Sequence, residues 1–256
     1  MLPDIESVLS PISIDDLILI SAGMMLAGFV RGFVGFGASL IIVMVVSVAL
    51  GPLLAVPIAA LSGLPPMIQL LPTAVKYSEK TFVLPFGIAA LIAAPFGTWL
   101  LVTLEPTIVK IFISGFVLAM VYVLYKDWRL PNLSDLPTLI AVGATAGVIQ
   151  GAAGVGGPPA VVIALSRSST TERQRANVIG AVTTLNISSL MPLWYHGLFT
   201  EEVLIITLIL LPFHVGSTWL GAKFFLRFGH AFFRNGALII LATLSISTLV
   251  IAFLSY

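Results

Sequence analysis

Apolar runs long enough to cross a lipid core follow one another along almost the whole chain, and this limits what it can fold into more than any other feature. Ten such segments can be read, at approximately 16–31, 38–51, 53–71, 82–103, 108–125, 137–150, 158–166, 176–193, 202–221 and 234–254. A hydrocarbon core takes about 20 apolar residues per helical crossing. Only 9% of the 256 residues are charged, against about 25% in soluble domains. A soluble fold of this size would lack the charge to cover its surface. Backbone groups in lipid must be paired internally, so the segments are expected to be helices. The alternation of an outer-membrane barrel is absent. The expected fold is therefore an all-α membrane protein, and its first partner is the lipid bilayer.

Charge placement orients the segments. With the N-terminus outside, the inner loops hold Lys76, Lys80, Lys126, Arg129, Arg167, Arg173, Arg175, Lys223, Arg227 and Arg234. Arg31 falls at an inner tip, and only Lys110 is on the other side, near Glu105. The outer side holds the acidic stretch Asp4, Glu6, Asp15 and Asp16, with Glu201 and Glu202. Short inner loops rich in Lys and Arg are the topology signal. The expected location is a bacterial inner membrane, multi-pass, with both termini extracytoplasmic. The acidic first segment reads as retained rather than as a cleaved leader. There is no cysteine, which excludes disulfides, thiolate metal sites and a Cys nucleophile. No metal site, cofactor or nucleic-acid partner is expected. A homo-oligomer stays open.

The chain echoes itself. Gly28, Gly32, Gly35 and Gly37 match Gly147, Gly151, Gly154 and Gly156 at an offset of 119. A second echo sets Gly97 near Gly216 and Thr98-Trp99-Leu100 on Thr218-Trp219-Leu220 at 120. Five segments per half is odd, so the second half enters from the opposite face, the inverted-repeat plan of many secondary transporters. The expected division is 1–15 extracytoplasmic, 16–125 the first repeat, 126–136 a cytoplasmic linker and 137–256 the second repeat.

The glycine runs cannot be regular helix. Residues 137–166 would measure about 45 Å as one helix, too short for two crossings. Short broken helices or hairpins are expected at both runs. Glycine admits positive φ, and a proline restricts the residue before it, as Pro158 does Gly157. A helix restarting after each break aims free N–H groups back at the gap. Gly35, Phe36 and Gly37 from one run, with Gly154, Val155, Gly156 and Gly157 from the other, would then converge on one anion site. The G-x-x-x-G part of each run reads as close helix packing. Ala38 stands where the second copy has Gly157, so a milder first break is expected.

These duplicated glycine stretches, the opposed halves and the length resemble the sulfite exporter TauE/SafE family of membrane permeases, over essentially the whole chain. The resemblance implies transport, with export favoured, of a small anion such as sulfite, sulfoacetate or a related organosulfonate. On this reading the protein is a permease working by alternating access around a midplane site, and not an enzyme.

Polar residues in apolar segments are the remaining site candidates, each with a second reading. Arg31 either binds the anion or anchors at the inner headgroups. Gln150, its counterpart in the repeat, is a ligand or ties the hairpin together. His214 could couple proton and anion movement, or only bridge two helices. Asn186, with Thr183 and Thr184, lines the path or serves as interhelical glue; Ser62 and Gln69 are weaker candidates. Trp99 and Trp219 read as interfacial belt, His196 and His230 as solvated, and residues 167–175 as an inner anchoring loop. An anion channel is the alternative. An intramembrane hydrolase would use Ser39; a Ser39→Ala variant should then lose proteolysis, while a transporter should keep its flux. No Walker A sequence or H-E-x-x-H helix occurs.

Overall fold

A computed structural model of the chain describes residues 12–105, 135–166 and 170–254, with scattered positions between 108 and 119; of residues 165, 166 and 228–254 only the backbone is described. Every regular element among them is helical: α1 Ile14–Val34, α2 Ala38–Leu50, α3 Pro52–Ser62, α4 Leu64–Tyr77, α5 Lys80–Thr103, α6 Leu136–Ala153, α7 Gly157–Ser166, α8 Thr171–Tyr195 and α9 Glu201–Leu254. Five helices, or six if the bent pair α3–α4 counts as one span, are long and apolar enough to cross a membrane. The chain is a multi-pass membrane protein. α2 has 13 residues and α7 has 10, so they measure about 20 and 15 Å and cannot cross alone. The short helices expected at the glycine runs are thus present.

Local chemistry sets the ends. Ser13 Oγ accepts the Asp16 amide at 3.0 Å, and Asp15 and Asp16 sit in the first turn of α1, where carboxylates favour the helix dipole. Thr170 caps α8 in the same way. α1 stops at Gly35, with φ 94°, and α6 at Gly154, with φ 69°.

Three expectations are corrected. The segment 53–71 is two helices bent by 44° at Gly63; Pro65 and Pro66 follow, and neither has an amide hydrogen to continue the helical bonding. Residues 167–175 are not all loop, because α8 begins at Thr171. The turn between the last two segments is absent: α9 runs unbroken through Lys223 and Arg227. Residues 222–233 contain charges but no proline, and charge marks depth without ending a helix. Residues 1–11, the linker at 126–134, most of the segment 108–125, and Lys110, Lys126, Arg129 and Arg167 lie outside the described residues, as do the side chains of His230 and Arg234.

Glycines bring the helices together and fix their sense. On α1, Gly28 abuts His214 and Ser217 of α9, and Gly32 abuts Thr218 and Ala222. Both numbers rise together, so α1 and α9 run parallel. On α6, Gly143, Gly147 and Gly151 abut Phe86, Ala90 and Ala94 of α5, which also runs parallel. Glu79 pairs with Asn177 through two hydrogen bonds of 2.7 and 3.1 Å, and Gly87 faces Thr184, so α5 and α8 are parallel as well. Residues 196–200 join the end of α8 to the start of α9, while Arg175 near the start of α8 lies over Phe225. These two helices are therefore opposed, and it follows that α1 and α6 run in opposite senses.

Helix bounds recur at an offset of 119: Val34 and Ala153, Ala38 and Gly157, Pro52 and Thr171. The last helices keep a different register. Gly97 meets Val148 and Ala152, while Gly221 meets Phe29 and Phe33. Their packing equivalence is Gly97 with Gly221, an offset of 124, and not the 120 of the Thr-Trp-Leu echo. The connection at 196–200 is longer than that at 78–79 and supplies part of the slip.

Candidate functional site

The two glycine breaks meet. Phe36, Gly37, Ser39 and Leu40 from the first line one internal pocket with Val155, Gly157 and Pro158 from the second. Gln150 of α6 and Val182 and Asn186 of α8 complete the wall. The space open to the centre of a water molecule is about 10 Å³, room for about one water.

Each break has its own cause. Gly35 and Gly37 both have positive φ, 94° and 91°. A side chain is strained in that region, so the first break is not the milder one. In the second, Gly154 alone is left-handed. Gly156 is needed for space: a Cβ there would come within 2.8 Å of Gln150 Cβ. The arrests match in detail, with Gly35 N–H on the Arg31 carbonyl at 2.7 Å and Gly154 N–H on the Gln150 carbonyl at 2.8 Å.

Their donors differ. α2 starts after Gly37 with no side-chain cap, so the amides of Ala38, Ser39 and Leu40 are the unpaired first N–H groups of a helix. α7 starts Gly157-Pro158-Pro159, and the two prolines carry no N–H. Gly156 N–H is already given to Gln150 Oε1 at 3.0 Å. That bond turns the carboxamide so that its Nε2 is left to donate, and among the described residues it has no acceptor. Donor groups at the pocket therefore come from the start of α2, from Ser39 Oγ and from Gln150. Asn186 gives one amide hydrogen to the Ala60 carbonyl at 3.2 Å, which ties the pocket wall to the α3–α4 bend.

Of the sequence candidates, Phe36, Gly37, Gln150, Val155, Gly157 and Asn186 come together at the pocket. Gly35, Gly154 and Gly156 shape the breaks without lining it. Arg31 and His214 are buried but do not line it, and His214 Nδ1 of α9 lies 3.2 Å from the Met24 carbonyl of α1. Sequence reasoning passed over Ser39 as a transport residue and read Arg175 as part of a loop. Arg175 is 4% exposed. Its Nη2 donates to the Gly32 carbonyl at 2.6 Å and its Nε to that of Phe33 at 3.2 Å. It caps the C-terminal end of α1, where a cation suits the helix dipole. Arg175 thus stands at the first break, and no carboxylate among the described residues is buried. No group of three or more His, Cys, Asp or Glu among the described residues could hold a metal.

Residues 20–248 match the family described as sulfite exporter TauE/SafE. The chain belongs to the sulfite exporter TauE/SafE family. Membership makes it a multi-pass membrane transporter of the sulfite and sulfonate anion class, and not an enzyme. No curated protein and no solved structure matches it.

Proposed function

We propose that this TauE/SafE transporter exports a small sulfur oxyanion, sulfite or an organosulfonate, across a bacterial inner membrane by alternating access around the pocket between the glycine breaks. One observation carries this reading: amide donors from α2, Ser39 and Gln150 converge there, and no buried carboxylate among the described residues opposes a negative solute. A helix N-terminus at membrane depth favours a negative solute. Gly37 and Phe36 let the anion approach the α2 amides, Gln150 donates from the opposite wall, and Asn186 sits on the same wall.

A pocket with room for about one water is too small for a sulfonate, so loading requires its walls to part. This favours a carrier that opens to one side at a time over an open anion channel. The opposed senses of α1 and α6 and the recurring helix bounds support two inverted repeats, 16–125 and 137–256, whose relative motion would do the parting.

The test is flux of labelled sulfite and methanesulfonate into proteoliposomes, with and without a pH gradient. Gln150→Ala and Ser39→Ala are each expected to lower flux about tenfold, the worth of one good hydrogen bond at about 1.4 kcal/mol. For Ser39 this reverses the sequence expectation that transport survives the change. Unchanged flux in both variants would remove the pocket from the path.

A further inference from the structure

The pocket leaves two buried ionisable side chains unused. Arg31 is 2% exposed and His214 fully buried. Arg31 Nε and Nη2 and His214 Nε2 all lack a hydrogen-bond partner. Met24 and Arg31 are seven residues apart, two turns along one side of α1. The His214 ring is held on the Met24 carbonyl, and a helix carbonyl points toward the following turn, in the direction of Arg31. Side chains on a helix lean back toward its N-terminus, so the Arg31 side chain leads along the same side of α1 toward the level of the His214 ring. No carboxylate among the described residues is buried with them, and Arg175, the other buried cation, is turned to the Gly32 and Phe33 carbonyls and the Phe225 ring.

We propose that Arg31 and His214 form a second anion station, apart from the glycine-break pocket, that selects an oxyanion still carrying one proton, with hydrogen sulfite as its representative. A carbonyl can only accept, so the Nδ1 beside Met24 carries the ring hydrogen, and Nε2 of the neutral imidazole is left with a lone pair. Arg31 presents Nε–H and Nη2–H side by side, the edge that meets two oxygens of an oxyanion. Nε2 then accepts the hydrogen of the anion's own hydroxyl. A fully deprotonated dianion offers His214 nothing but lone pairs. A sulfonate satisfies Arg31 but has no hydrogen to give. The proton would thus travel on the substrate, and no separate proton path is needed.

The inference rests on the reading of the substrate as a sulfur oxyanion, and binding can be tested without flux. Calorimetric titration of the full chain in detergent would use sulfite, at a mildly acid pH where hydrogen sulfite dominates, and methanesulfonate at the same pH. His214→Phe is expected to weaken hydrogen sulfite about tenfold and to leave methanesulfonate within about twofold. His214→Gln, whose amide oxygen accepts, should restore part of the loss. Arg31→Gln should weaken both probes, and Arg31→Lys, which keeps the charge and loses the paired edge, should weaken both by less. Equal shifts of the two probes in His214→Phe, or no shift in either Arg31 variant, would overturn the station. Should Gln150→Ala and Ser39→Ala leave flux intact while this pattern appears, the glycine-break reading fails and the station stands.

Discussion

At the scale of single residues, this protein handles buried charge in two ways. Arg175 is enclosed yet satisfied, spanning two carbonyls at the end of α1 and lying 4.0 Å from the centre of the Phe225 ring. Hydrogen bonds to a charged group contribute about 1.5–3 kcal/mol each. Arg175→Ala would remove both and leave the Gly32 and Phe33 carbonyls bare, so a loss on the order of 3 kcal/mol is expected, read as a lower unfolding midpoint in detergent. Arg175→Lys should recover only part of it, since an ammonium cannot reproduce the two-pronged geometry. A midpoint equal to that of the parent protein would show that α1 needs no such cap. Arg31 is the contrasting case, buried at the equivalent of Gln150 with two nitrogens unpaired. The two breaks therefore share a backbone plan while their side-chain chemistry has diverged.

At the scale of elements, close helix contact depends on which glycines face a neighbour. Gly221 and Gly216 both lie on α9. A Cβ at Gly221 would strike the backbone of Phe29 and Phe33, whereas one at Gly216 meets nothing within 4 Å. Gly216→Ala should be neutral or stabilising by about 0.5–1 kcal/mol, the helix-propensity gain. Gly221→Ala should cost about 1–3 kcal/mol through overpacking, and the folded yield of the two variants measures the difference. Equal yields would dissociate the α1–α9 seam from its glycines. The pair also shows what the sequence could convey. The glycine runs gave α1, α2, α6 and α7 and the meeting of the breaks, because a left-handed turn and a close approach both demand glycine locally. The partner of Gly97 was out of reach, since three matching letters near Gly216 outweigh a packing register that only contacts reveal. Pro65-Pro66 and Pro158-Pro159 are legible in the sequence as residues without N–H groups. That loss accounts for both the α3–α4 bend and the poverty of donors at the second break. The burial of Arg175 has no local signal, because it depends on where α1 ends in space.

For the whole molecule, parallel and opposed contacts sort the helix ends onto two faces. The starts of α1 and α9 share one face, with Asp15, Asp16, Glu201 and Glu202; the starts of α5, α6 and α8 and the end of α4 share the other, with Lys76, Lys80 and Arg173. On the Lys and Arg bias we propose that the second face is the cytoplasmic one. This arrangement makes the inverted plan testable without knowledge of the substrate, because the chain has no cysteine of its own. Asp15 and Asp135 are both exposed and stand at the starts of α1 and α6, the first helices of the two proposed repeats. Single Asp15→Cys and Asp135→Cys variants in intact cells should differ toward a thiol reagent that cannot cross the membrane. Asp15→Cys should be labelled at once, and Asp135→Cys only after the membrane is opened. Labelling of both from one face would mean that the halves enter in the same sense, with their symmetry axis along the membrane normal. The α2 and α7 N-termini would then point the same way along that axis, and the paired half-helices of an alternating-access site would be lost.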